Sequence, residues 1–83
     1  TLFRSKLYYN RGVSKVKLKD YYGAIADYTK VIESDYSYKA ESYNSRGNAK
    51  DYLKDRYGAC NDWKQAAYLG DKEAQKRIRE YCN

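Results

Sequence analysis

The 83-residue chain carries 17 basic and 11 acidic residues, a net charge of +6, with twelve tyrosines, two cysteines and neither histidine nor proline. One domain is the most that this length supports, and no apolar run reaches the roughly 18–20 residues of a membrane span. Without histidine there is no imidazole acid–base chemistry, and two cysteines fall short of the roughly four ligands of a structural zinc site.

The start, Thr1-Leu2-Phe3-Arg4, has neither an initiator Met nor a secretory apolar core, and reads as a piece or processed form of a longer chain. Residues 1–19 hold Arg4, Lys6, Arg11, Lys15, Lys17 and Lys19 without one acid. Such a run is a solvated helix face or a site for an anionic partner. In this first helix Tyr8, Gly12 and Leu18 fall near helical spacing, and Lys19-Asp20 interrupts the pattern. A second helix follows, with Tyr21, Ala24, Ile25, Tyr28, Val31 and Ile32 forming one apolar stripe. The third is marked by Tyr43, Gly47, Ala49 and Leu53, and the fourth by Tyr57, Ala59, Cys60, Trp63, Ala66 and Ala67. Leu69-Gly70-Asp71 closes the fourth: glycine suits the left-handed cap position and Asp71 can cap the next start. The last helix turns Ala74, Ile78 and Tyr81 inward and Lys72, Glu73, Lys76, Arg77 and Glu80 outward. The expectation is an all-α chain of five helices with no strand.

The pattern repeats. Tyr8, Arg11 and Gly12 return 35 residues later as Tyr43, Arg46 and Gly47. Leu18-Lys19-Asp20, Gly23-Ala24 and Asp27-Tyr28 return at the same spacing as Leu53-Lys54-Asp55, Gly58-Ala59 and Asp62-Trp63. Glycine inside a helix costs about 1 kcal/mol relative to alanine, so Gly12 and Gly47 at one register imply close helix–helix approach. Tyr28 and Trp63 follow Ala24 and Ala59 by one turn, which reads as core packing of large against small.

On these markers (Tyr8, Gly12, Tyr21, Ala24 and Tyr28, then Tyr43, Gly47, Ala59 and Trp63) the chain resembles the tetratricopeptide repeat, whose units are helix pairs of about 34 residues. The stretch from Gly23 to Glu33 looks like an ordinary second helix, and residues 59 to 82 look like a last repeat with its capping helix. The resemblance implies a right-handed α-solenoid: repeat one over 5–38, repeat two over 39–71 and a cap over 72–82. The chain departs from the family in four ways. Tyr36 and Asp71 stand where the unit-ending proline would fall, and the period is one residue longer. Lys15 and Lys50 replace an aromatic of the first helices, and Arg56 stands where the first unit has Tyr21.

By the same resemblance the first helix of each pair lines a concave groove. Its candidates are Lys6, Tyr9, Asn10, Val13 and Lys17 from repeat one, Asn44, Ser45, Asn48 and Tyr52 from repeat two (with Glu41 and Asp51 beside them), and Arg79 with Gln75 from the cap. Asparagine amides can pair with an extended peptide backbone, and tyrosines add flat contact area at small entropic cost. Some family members clamp a chaperone's C-terminal carboxylate with Lys, Asn and Arg. Tyr9, Val13 and Ser45 stand in those places here, and only Lys76 and Arg79 offer similar chemistry, so that partner is disfavoured.

Cys60 lies ten residues before Gly70 and Cys82 twelve after it, so antiparallel helices can bring them together. They read either as a bridge, which implies an oxidising compartment, or as two buried thiols, which leaves a cytoplasmic location. The function expected is a non-catalytic protein–protein interaction scaffold that needs no metal or cofactor and holds a peptide or partner helix in the groove. The alternative is nucleic-acid or anionic-surface binding through the basic first helix, with steep salt dependence. An enzyme is the least supported class: Asp51 and Asp55, one turn apart, read as a solvated pair, and there is no nucleophile–base pair or phosphate loop. The N-terminal face, with Leu2, Phe3 and Leu7, offers a surface for self-association.

Overall fold

Three turns of one design organise the chain, which the computed structural model describes over residues 2–34 and 37–83, without the side chains of Leu2 and Phe3. Among these residues it forms α1 (Leu2–Lys17), α2 (Tyr21–Ser34), α3 (Lys39–Tyr52), α4 (Arg56–Tyr68) and α5 (Lys72–Tyr81), and no strand. Each helix packs on the next, and α1 also touches α3. The whole measures 36 × 26 × 16 Å.

The turns after α1, α3 and α4 are Leu18-Lys19-Asp20, Leu53-Lys54-Asp55 and Leu69-Gly70-Asp71. In each, the middle residue is left-handed, with φ of 62° at Lys19, 69° at Lys54 and 100° at Gly70. The following Asp N–H reaches five residues back, from Asp20 to Lys15 O at 2.8 Å, Asp55 to Lys50 O at 2.9 Å and Asp71 to Ala66 O at 3.0 Å. This is the Schellman arrangement, which satisfies the last carbonyls of a helix. The same aspartates then start the next helix: Asp20, Asp55 and Asp71 accept from the N–H of Gly23, Gly58 and Ala74 at 2.9–3.0 Å. Each such cap contributes about 1 kcal/mol. Asp71, at a position where the resemblance would lead one to expect proline, does a capping job. Tyr36, at the other such place, lies outside the described residues.

The repeated glycines are there for the rings. A Cβ on Gly12 would stand 2.7 Å from Tyr28 Cε1, and one on Gly47 would stand 2.8 Å from Trp63 Cδ1 and 3.1 Å from the Ala59 carbonyl. Tyr28 is buried with Ala24, Val31 and Ile32 in the first helix pair. Trp63 is buried with Ala59, Ala66 and Ala74, and Tyr43, Ala67 and Ile78 pack against them. A disulfide between Cys60 and Cys82, with Cα atoms 5.8 Å apart, fastens the end of α5 to α4.

Two residues expected in apolar stripes are solvent-facing instead. Leu18 is 80% exposed and Tyr57 82% exposed. Leu18 has left the helix to enter the turn, and Tyr57 sits in the first turn of α4, at the rim of an open cavity that it shares with Tyr81 and Cys82. Tyr81 is half-exposed and covers the edge of Trp63, ring centroids 6.1 Å apart.

Lys15 and Lys50, at one register of the repeat, are tied to buried carboxylates. Asp27 is buried and accepts from Arg11 Nε at 2.9 Å and Nη2 at 2.7 Å, with Lys15 Nζ at 3.1 Å. Asp62, one repeat on, does the same with Arg46 (2.8 Å twice) and Lys50 (3.1 Å). A buried carboxylate needs such pairing, because its desolvation would otherwise cost several kcal/mol. Arg11, Arg46, Asp27 and Asp62 all appear among the repeat matches in the sequence. Their constant 16-residue separation was the signal of the pairing.

Candidate functional site

The side chains expected in one groove sort into two clefts and a few separate positions. The first cleft lies between α1 and α3, about 240 Å³ in volume, with Val13, Val16 and Lys17 on one wall and Ser45, Asn48 and Ala49 on the other. Tyr28 of α2 forms its floor. Burial pushes the Tyr28 hydroxyl up to about 12, further raised by Tyr9 and opposed by the hydrogen bond from Ser45. It is therefore a neutral phenol at ordinary pH. The lining is an apolar seat with an amide and a hydroxyl on one side and the Lys17 ammonium at the rim. That suits an aliphatic side chain flanked by peptide backbone.

The second cleft, about 250 Å³, lies between α3 and α5 and is lined by Asn48, Asp51, Tyr52 and Arg77. Asn48 belongs to both. Its Oδ1 accepts from the buried Trp63 Nε1 at 2.9 Å, which fixes the amide at the junction of the clefts. Tyr52 is held by stacking on Tyr21, centroids 4.8 Å apart and planes within 7°. Asp51 accepts from Arg56 Nε at 2.6 Å, and Arg56 also lies over the Tyr81 ring at 4.9 Å. The Asp51–Asp55 pair is thus divided between two tasks, an ion pair and a helix cap.

Asn44 serves the scaffold. It is buried, and its Nδ2 donates to Glu73 Oε1 at 2.8 Å, tying α3 to α5. That amide, followed by the charge of Arg77 and a hydrogen bond from Asn48, holds the Glu73 carboxyl below the usual carboxylate range against the opposing cost of burial. Arg77, expected on the outer face of the cap, instead lines the second cleft, while Glu73 beside it is exposed as expected: Arg77 Nη2 is 3.3 Å from Glu73 Oε1 and its guanidinium lies 5.9 Å from the Trp63 ring centre. Arg77 was the residue missed. It falls three residues after Ala74 and beside Ile78, on the shoulder of the inward stripe, where a long side chain reaches the cleft while its charge stays wet.

Of the remaining candidates, Tyr9 is stacked on Tyr38 at 5.5 Å and tilted against Tyr28 at 5.7 Å, half-buried at the end of the first cleft. Lys6, Asn10 and Arg79 are exposed and line neither cleft. The basic run of α1 is partly spent inside the fold, since Arg11 and Lys15 both serve Asp27. No group of three or more potential metal ligands occurs among the described residues, and no described helix is long and apolar enough to cross a membrane. Set against known proteins, the chain matches no family model, no curated protein and no solved structure.

Proposed function

We propose that the chain is a non-catalytic protein-interaction module of the tetratricopeptide-repeat type. In this reading it is a right-handed α-solenoid of two helix pairs and a capping helix, holding an extended peptide or partner helix along α1, α3 and α5. The observation that carries it is the pair of clefts joined at Asn48. One is apolar with Ser45 and Lys17 at its edge, and the other is polar with Asp51 and Arg77 on its walls. An apolar seat for one side chain beside amides and fixed charges is a recognition surface for peptide. The sequence markers of the repeat support the same reading, with no histidine to serve a catalytic alternative.

The test is selection of binding peptides from a displayed library, followed by affinity measurement on Val13→Glu and Ser45→Glu variants. A carboxylate placed in the apolar cleft is expected to weaken the selected peptides at least tenfold. Peptides that bind both variants as tightly as the original protein would place recognition elsewhere. Failure to select any peptide would overturn the reading.

A further inference from the structure

The internal repeat allows every surface of the first helix to be compared with its copy in the third. Leu7, Arg11 and Ser14 form one stripe along α1, spaced by four and three residues, with Leu18 following in the turn, and correspond to Ser42, Arg46 and Ala49 along α3 and Leu53 in the turn after it. On α3 this stripe is covered. Ser42 is 0% exposed, Ala49 1% and the Arg46 side chain 17%. What covers it is α2: Arg46 Nη1 donates to Thr29 Oγ1 at 3.0 Å, and the carboxylate of Glu33, one turn further along α2, acts on the same guanidinium through space. On α1 the equivalent residues are open, with Leu7 57% exposed, Leu18 80% and the Arg11 side chain 51%. The stripe is separate from the first cleft, whose α1 residues Val13, Val16 and Lys17 lie on another side of the helix.

From this equivalence we infer that the open face of α1 is a helix-docking site, and that it takes an acidic amphipathic helix supplied by a partner. The protein contains the template for its occupant: a helix with a hydroxyl residue opposite the arginine and a carboxylate four positions later, as Thr29 and Glu33 stand opposite Arg46. Charge argues for the acid. The first 19 residues hold six cations and no carboxylate, and the Tyr8 ring beside the stripe already carries Arg11 at 5.2 Å and Lys30 at 5.1 Å. Charge also argues against a second copy of this chain. The counterparts of Thr29 and Glu33 in α4 are Lys64 and Tyr68, so a head-to-tail neighbour would bring an ammonium to Arg11. The self-association expected of the N-terminal face supplies the competing occupant. Of the three apolar residues on which that expectation rested, Leu7 lies in the stripe, and the side chains of Leu2 and Phe3 lie outside the description.

A direct probe is a 14-residue peptide with the sequence of α2, Tyr21–Ser34. A free helix of that length is marginal in water, so it is stapled between positions 22 and 26, both exposed in the protein. It is titrated into the ¹⁵N-labelled protein, with a second peptide carrying Glu33→Lys and with a Ser14→Glu protein variant, which puts a carboxylate beside Arg11 on the exposed stripe. The expected result is shifts centred on Leu7, Arg11, Ser14 and Leu18, weakened at least tenfold by either change. Absence of shifts at millimolar peptide, equal binding of the charge-reversed peptide, or shifts confined to Val13 and Ser45 would overturn the proposal. So would sedimentation of the protein alone as a dimer that Ser14→Glu dissociates, since the face would then belong to a second copy.

Discussion

Asp62 and Arg46 meet through two parallel hydrogen bonds of 2.8 Å, and Asp27 and Arg11 repeat the contact one unit earlier. The two pairs share chemistry but not surroundings. Arg46 is covered by α2, whereas half of Arg11 is open to solvent.

Removing one partner of a buried pair leaves an uncompensated charge and costs about 3–5 kcal/mol. Asp62→Ala is expected to approach that range, because Arg46 and Lys50 would both lose their counter-charge in a covered site. Arg11→Ala should cost distinctly less than Arg46→Ala, since solvent screens the exposed pair. Urea denaturation of the three variants checks both the magnitude and the order.

The Asp27 pair also sets an acid limit. Arg11, through its hydrogen bonds first and its charge after, holds the Asp27 carboxyl below its usual range, against the opposing cost of burial. A carboxylate depressed in the folded state contributes stability above its unfolded value, and that contribution is lost as pH falls through the folded value. Stability should therefore decline below about pH 4, and Asp27→Asn should flatten the decline while lowering stability at pH 7. Denaturation midpoints between pH 2 and 7 read both effects.

Tyr28 gives the complementary alkaline signature. Burial delays ionisation of its phenol to about 12. Between pH 10 and 12 the unfolded chain releases a proton that the folded one keeps, so stability falls as pH rises through that window. Absorbance titration near 295 nm, compared with Tyr28→Phe, should show a phenol step near pH 12 that is missing from the variant.

Gly47→Ala inverts an ordinary rule. Inside a helix the change normally gains about 1 kcal/mol, but here the new methyl would meet Trp63 at 2.8 Å and the Ala59 carbonyl at 3.1 Å. A net loss of about 1–3 kcal/mol is expected. Gly12→Ala should lose less, because the three nearest atoms all belong to the Tyr28 ring and none to backbone. Thermal melts of the two variants rank them.

The Cys60–Cys82 bridge spans 22 residues, and in the chain-entropy account closing such a loop contributes about 3 kcal/mol. Cys60→Ser/Cys82→Ser should lower the melting temperature by about 10–25 °C at this size, with α5 the first element to lose amide-exchange protection. Simultaneous loss of protection in all five helices would show that the cap is integral to the core.

Much of the helical plan was legible from spacing alone. Gly12 and Gly47 announced a close approach, and the rings of Tyr28 and Trp63 are what approaches. Gly70-Asp71 announced a stop and a start, and both are present. What the periodicity could not carry was the use made of long polar side chains. Lys15 and Lys50 read as departures until Asp27 and Asp62 were seen beneath them. Asn44 and Arg77 both meet Glu73, yet one is buried against it and the other reaches over Trp63. Residue type predicts neither, since both outcomes depend on which helix lies across. Leu18 misled for the opposite reason: its apolar character fitted the stripe, but the turn had already carried it out of the helix.

The doubled cations on Asp27 and Asp62 change what the basic isoelectric point means. Each helix pair folds around one carboxylate held by two positive groups, so each contributes one net positive charge through its own architecture. Two of the six net positive charges of this chain are therefore a by-product of construction rather than an address for polyanions. An array lengthened by such units would grow more basic with every unit added, whatever it binds.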